Sequence, residues 1–87
     1  MDACRHMSDL PTPEPEVRTR GCEECLAIGQ EWVHLRKCMT CGHVGCCDDS
    51  IGKHAAAHAR LTGHHVVRSL EPGETWRYCF RDDVLVE

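Results

Sequence analysis

The chain has 87 residues, a formal charge of −4, and 8 Cys and 7 His beside only two Trp, one Tyr and one Phe. A chain this short buries only roughly 60% of its unfolded surface, so apolar burial alone braces it weakly. The acidic balance speaks against a phosphate-backbone binder, and no run approaches the ~20 apolar residues of a membrane span.

The start Met1-Asp2 carries no basic-then-apolar leader. That points to a reduced, cytoplasmic setting, where cysteines at metal spacing serve as ligands rather than disulfides. Residues 1–20 are polar, with Pro11, Pro13 and Pro15 in alternation, which predicts an extended segment without helix or ladder. Cys4 and His6 precede that stretch and offer a means of tying it back. The body of the domain is expected over residues 21–87.

Cys22-Glu-Glu-Cys25 opens the body. Residues 31–37 alternate Trp32, His34 and Arg36 against Val33 and Leu35 and predict a strand. Cys38-Met-Thr-Cys41-Gly42 is a tight turn of metal-binding type, and residues 43–47 resume extended structure. Asp48, Asp49 and Ser50 offer N-caps to a helix over residues 51–61 that Gly63 closes, with Ile51, His54, His58 and Leu61 on one face. Residues 65–70 predict a strand, Pro72-Gly73 a type II turn, and residues 75–80 its antiparallel return. Residues 83–87 add a last short strand.

Two C-x-x-C pairs in series, followed by further Cys and His, form a strong zinc signal, because two intervening residues let both thiolates reach one tetrahedral ion. Each pair needs two more ligands, drawn from Cys46 or Cys47, His54, His58, His64 and His65. Spacing leaves their distribution open.

The order C-x-x-C, Trp32, C-x-x-C-G, V-x-C, H-x-x-x-H, T-G-H and W-x-Y resembles the UBP-type zinc finger, the ubiquitin-tail-binding module of many deubiquitinases. The resemblance runs from Cys22 to about Leu85, and Cys4-x-His6 matches the family's N-terminal C-x-H. It implies one zinc on Cys22, Cys25, Cys46 and His54, and a second on Cys38, Cys41, His58 and His64. Cys46 is preferred over its neighbour Cys47 as the single Cys of that position. A third zinc, held in many members by the C-x-H and a late C-x-x-C, meets a departure here: Arg77 and Phe80 stand at the cysteine positions, which leaves Cys4, His6 and Cys79, with Asp82, as its ligands. The implied fold is α+β: a twisted antiparallel sheet of four or five strands, one central helix and cross-braced zinc sites. Four protein ligands per ion make the first two sites structural, with no open position for water or substrate.

The same resemblance implies a pocket for a protein C-terminal tail, built from Trp32, Trp76 and Tyr78, in a monomeric, non-catalytic recognition module. The family's carboxylate-binding Arg is missing: Cys47, Asp48 and Asp49 occupy its place, and an acid there repels a carboxylate. Arg81 stands where the family carries an acidic or polar residue. Either Arg81 supplies the carboxylate contact from the opposite wall, or the pocket reads a different, cationic group. Plain core packing of Trp32, Trp76 and Tyr78 is the competing explanation. Other functions rest on less. A nucleophile at Cys46 or Cys47 with His34, His43 or His65 would compete with the ligand set, the vicinal Cys46-Cys47 alone hints at redox sensing, and the arginines and lysines are interleaved with acids rather than clustered for nucleic acid.

Overall fold

The structure, a computed structural model, describes residues 10–86. Among the described residues, two helices and five strands follow one another: α1 (Glu23–Ile28), β1 (Leu35–Cys38), β2 (Val44–Cys46), α2 (His54–Thr62), β3 (Val66–Ser69), β4 (Arg77–Cys79) and β5 (Val84–Val86). The strands form one antiparallel sheet in the order β2-β1-β3-β4-β5. The fold is α+β, with a second, short helix beside the expected central one. No helix among the described residues is long and apolar enough to cross a membrane.

Helix α1 occupies the first C-x-x-C. Glu23 and Glu24 sit in its first turn, where acids suit the helix dipole, and Gly29 closes it in the left-handed region at φ 72°. Helix α2 starts at His54, later than the caps at Asp48–Ser50 suggest. The reason is local: the Ser50 hydroxyl accepts a hydrogen bond from the Val33 amide at 2.8 Å, so it is engaged across the chain and does not cap a helix. Gly63 ends α2 as expected, its amide donating to the Ala59 carbonyl.

The face of α2 also differs from the sequence pattern. Ala55 and Ala59 are buried, while Ile51 and Leu61 are 81% and 86% exposed. Small residues make the contact because the backbones touch: a Cβ added at Gly45 on β2 would lie 2.5 Å from the Ala55 amide nitrogen. This close seat brings His54 over Cys46.

The 71–74 turn has the type II features expected at Pro72-Gly73, with Gly73 at φ 82° and the Glu74 amide donating to the Glu71 carbonyl at 3.1 Å. Residues 10–20 form no regular element but run against the sheet. Leu10 packs on the cluster of Met39, Val66 and Cys79. Glu14 takes both Lys37 and Arg68, and the Arg18 amide donates to the Gly42 carbonyl at 3.0 Å.

Among the described residues, six of the twelve buried apolar ones are cysteines, so the interior is built around thiols rather than large side chains. One small cluster joins Met39, Val66 and Cys79, and another joins Cys22, Cys25 and Cys46 under Trp32 and Leu35. Neither approaches a full apolar core, which is the condition under which small domains rely on bound metal.

Candidate metal centres and binding cavity

The cross-over of the chain gathers four side chains from stretches far apart in sequence at each of two places. Cys22 and Cys25 flank and enter α1, Cys46 ends β2 and His54 begins α2; their ligand atoms lie within 4.8 Å of one another. Cys38 ends β1, Cys41 follows in the turn, His58 lies one turn along α2 from His54, and His64 follows Gly63; these too lie within 4.8 Å. His54 and His58 therefore face two different clusters.

The distances suit zinc. A tetrahedral zinc with thiolate and imidazole ligands separates sulfurs by about 3.8 Å and sulfur from nitrogen by about 3.5 Å. His54 Nδ1 is 3.3, 3.4 and 3.4 Å from the sulfurs of Cys22, Cys25 and Cys46, and the Cys25 and Cys46 sulfurs are 3.9 Å apart. In the second cluster Cys41 Sγ is 3.4 Å from His58 Nε2 and Cys38 Sγ is 3.6 Å from His64 Nδ1. Backbone amides add support, Thr40 N–H to Cys38 Sγ at 3.4 Å and His54 N–H to Cys46 Sγ at 3.3 Å.

Burial makes the thiols of Cys22, Cys25 and Cys38 hard to ionise there. Burial, then the adjacent thiols of Cys22 and Cys46, push Cys25 up to about 12. Burial, then the neighbouring His43 and His64, lower His58 to about 4, which keeps its ring neutral and able to ligate. Four such thiols and imidazoles around a point fit zinc, whose charge stabilises the thiolates that burial alone disfavours. Cys47, next to Cys46, turns away and meets the Ser50 hydroxyl at 3.6 Å.

One contributor figures in the sequence only as a candidate base, and the structure gives it a different place. His43 is 3% exposed, stacks on His58 with ring centroids 3.9 Å apart and an interplanar angle of 5°, and its Nε2 meets the Glu24 carboxylate at 2.7 Å. Glu24 belongs to the first C-x-x-C and His58 to the second cluster, so His43 links the surroundings of the two centres. It orients rather than ligates, a role that spacing rules for ligands do not reveal.

Cys4 and His6, proposed for a third zinc, lie outside the described residues. Cys79 is fully buried on β4, and Asp82 follows it in the turn to β5.

A cavity of about 200 Å³ opens on the sheet beside the start of α2. Trp76, Tyr78, Phe80, Val67, Leu85 and Ala55 form its apolar lining, with Cys47, Asp48, Asp49 and Arg36 as its polar part. The Arg36 guanidinium lies over the Trp76 ring, 4.5 Å from the centroid. Trp32 is elsewhere: it leans on Cys22, Cys25 and Cys46 and lines a separate shallow depression with Gln30 and Glu31. Arg81 also lies apart, in a depression with Arg60, His65 and Phe80. The cation of the aromatic cavity is thus Arg36, on β1, which the alternation of residues 31–37 predicts only as one face of a strand.

Two four-ligand Cys/His clusters bracing a small antiparallel sheet define a zinc-binding module. The family model for the zinc finger in ubiquitin-hydrolases and other proteins matches residues 22–87, and the chain belongs to this UBP-type zinc-finger family. Its structure is similar to the solution NMR structure of a protein from Rhodopseudomonas palustris, with 49% sequence identity and a TM-score of 0.86, over 100% of this chain and 83% of that one. No curated protein matches the chain significantly. UBP-type zinc fingers are in general non-catalytic binding modules.

Proposed function

We propose that this chain is a non-catalytic recognition module, in which two structural zinc ions hold the sheet and the aromatic cavity takes an exposed segment of a partner protein. The observation that supports this most is the separation of the two features. The Cys/His clusters spend four side chains each on metal, which leaves no open coordination position for catalysis. The cavity beside them has apolar walls and a few polar groups, as ligand sites do. At about 200 Å³ it is smaller than a typical small-molecule pocket and suits one or two residues of a protein chain.

The family resemblance suggests a C-terminal tail of the ubiquitin kind as the segment. Asp48 in place of the tail-binding Arg separates this chain from the tail-capturing members, so the proposal extends to a protein segment and stops short of ubiquitin itself. Nucleic acid is disfavoured, because Lys37 and Arg68 are engaged by Glu14 rather than turned to solvent as a phosphate-binding face. Clusters that need thiolates favour a reducing, cytoplasmic setting for the module, which acts as a monomer.

The test is an NMR titration of the zinc-loaded chain with short peptides of varied charge, carrying free or amide-capped C-termini. Shifts should concentrate on the Trp76 indole, the Tyr78 ring and the Val67 methyls, and Trp76→Ala should abolish them while leaving the zinc content unchanged. Silence across the whole panel, or shifts mapping away from the cavity, sinks the proposal.

A further inference from the structure

The polar groups of the cavity differ in how far they are already engaged. Arg36 has two partners: its guanidinium lies on the Trp76 ring, and Nη1 donates to the Leu35 carbonyl at 3.0 Å. The Tyr78 hydroxyl donates to Asp83 and is likewise committed. Asp48 and Asp49 are exposed at the cavity, and neither carboxylate has a hydrogen bond or ion pair among the described residues. Two carboxylates against one guanidinium also give the lining a formal charge of −1, in a chain that is itself at −4.

The cavity's unmet electrostatic demand is therefore for a cation. Its walls are suited to one as well. Aromatic faces attract guanidinium and ammonium groups, more strongly where water is partly excluded, and Trp76 already holds such a group from within the chain. A free carboxylate would face two uncompensated acids and would compete for a guanidinium with both its partners in place.

We infer that the cavity recognises a basic side chain, arginine or lysine, projected by a partner protein between the Tyr78 and Phe80 rings and the Asp48–Asp49 carboxylates. This rests on the proposal that the cavity is the ligand site, and it inverts the charge that tail-capturing members read there. Asp48 and Asp49 are the specificity residues; Arg36 holds the Trp76 wall in place.

The experiment uses the zinc-loaded full chain and three capped probes: acetyl-Gly-Arg-Gly-amide, acetyl-Gly-Gln-Gly-amide, and acetyl-Ala-Gly-Gly with a free carboxylate. The arginine probe should shift the Trp76 indole and Tyr78 ring signals, and the glutamine probe should not. Asp48→Asn/Asp49→Asn should weaken the arginine probe about tenfold, a change in keeping with the loss of charge-assisted contacts. Raised salt should weaken it further in the unmodified chain than in the variant. The variants are at exposed positions outside the metal clusters, and zinc content serves as the check that they fold. Equal binding of the arginine and glutamine probes, or undiminished binding by the double variant, overturns the inference. Binding of the carboxylate probe at the same rings without response to the arginine probe overturns it too, while leaving the cavity as the ligand site. Silence toward all three removes both proposals together.

Discussion

Gly45→Ala is the substitution in which one methyl group should test the link between packing and metal binding. The added Cβ would stand 2.5 Å from the Ala55 amide nitrogen, 2.7 Å from its Cα and 2.9 Å from the His54 carbonyl carbon, where ordinary contact begins at 3.4 Å. All three atoms are backbone, so no flexible side chain can yield. Restoring contact moves the start of α2 away from β2 by up to about 0.9 Å. His54 is the first residue of α2, and zinc–ligand distances tolerate only about 0.2 Å. The helix must therefore either strain or surrender a ligand. Overpacking alone costs about 1–3 kcal/mol, and zinc loss from the first cluster adds to it. Chelator competition monitored by a zinc indicator, together with thermal unfolding, reads both effects. Gly29→Ala is the control: the position carries the cost of its own positive φ (72°), which Gly45 does not have, but meets nothing within 4 Å, so it should cost about 1 kcal/mol and leave zinc affinity unchanged. Equal zinc affinity and melting temperature for Gly45→Ala and the unmodified chain would refute the link.

Further substitutions separate the roles of neighbouring residues. Cys46→Ser should remove one zinc by mass while Cys47→Ser retains it, since Cys46 Sγ faces His54 and Cys47 Sγ faces Ser50; the opposite pattern would reassign the ligand. His43→Ala removes the buried ring stacked on His58 and its contact with the half-exposed Glu24, so it should lower stability by about 1–2 kcal/mol and speed zinc release from the second cluster; stopped-flow transfer to a chelator measures this. Glu14→Gln weakens the tie to the nearly buried Lys37 and to Arg68, and should cost about 1–2 kcal/mol and expose residues 10–18 to protease. The hydrogen bond from Lys37, outweighing burial and joined by Arg68, holds the Glu14 carboxyl below the usual carboxylate range. Its stabilising contribution is therefore present above the unfolded-state value and is lost as pH falls through the lower folded value. An acid-unfolding profile in which the unmodified chain and Glu14→Gln differ at neutral pH but converge at low pH would bear this out; parallel profiles would not.

The framework of this fold is written in residues whose spacing has direct geometric meaning. C-x-x-C turns, the Gly63 stop and the Pro72-Gly73 turn are local features, and β3, β4 and β5 lie within the predicted extended stretches. What escaped the sequence depends on contacts across the chain. Ser50 carries a cap signature, but Val33 claims its hydroxyl, so α2 starts at His54. Ile51 and Leu61 look like a buried face, but Gly45 lets the alanines seat directly on the sheet. Helix α1 is too short for any periodicity to register. His43 reads as one more histidine until its ring is seen between Glu24 and His58. Arg36 and Asp48 come from different strands and loops, and only the tertiary fold sets them in the cavity with Trp76 while Trp32 and Arg81 lie elsewhere.

Native mass spectrometry of the chain expressed with zinc, before and after chelation, addresses the central claim most directly when paired with far-ultraviolet circular dichroism. The two clusters predict at least two tightly held zinc ions per chain, one fewer in Cys38→Ser, and loss of the folded spectrum when the metal is removed. A chain that carries no zinc, or that keeps its folded spectrum after complete chelation, would contradict a fold braced by metal.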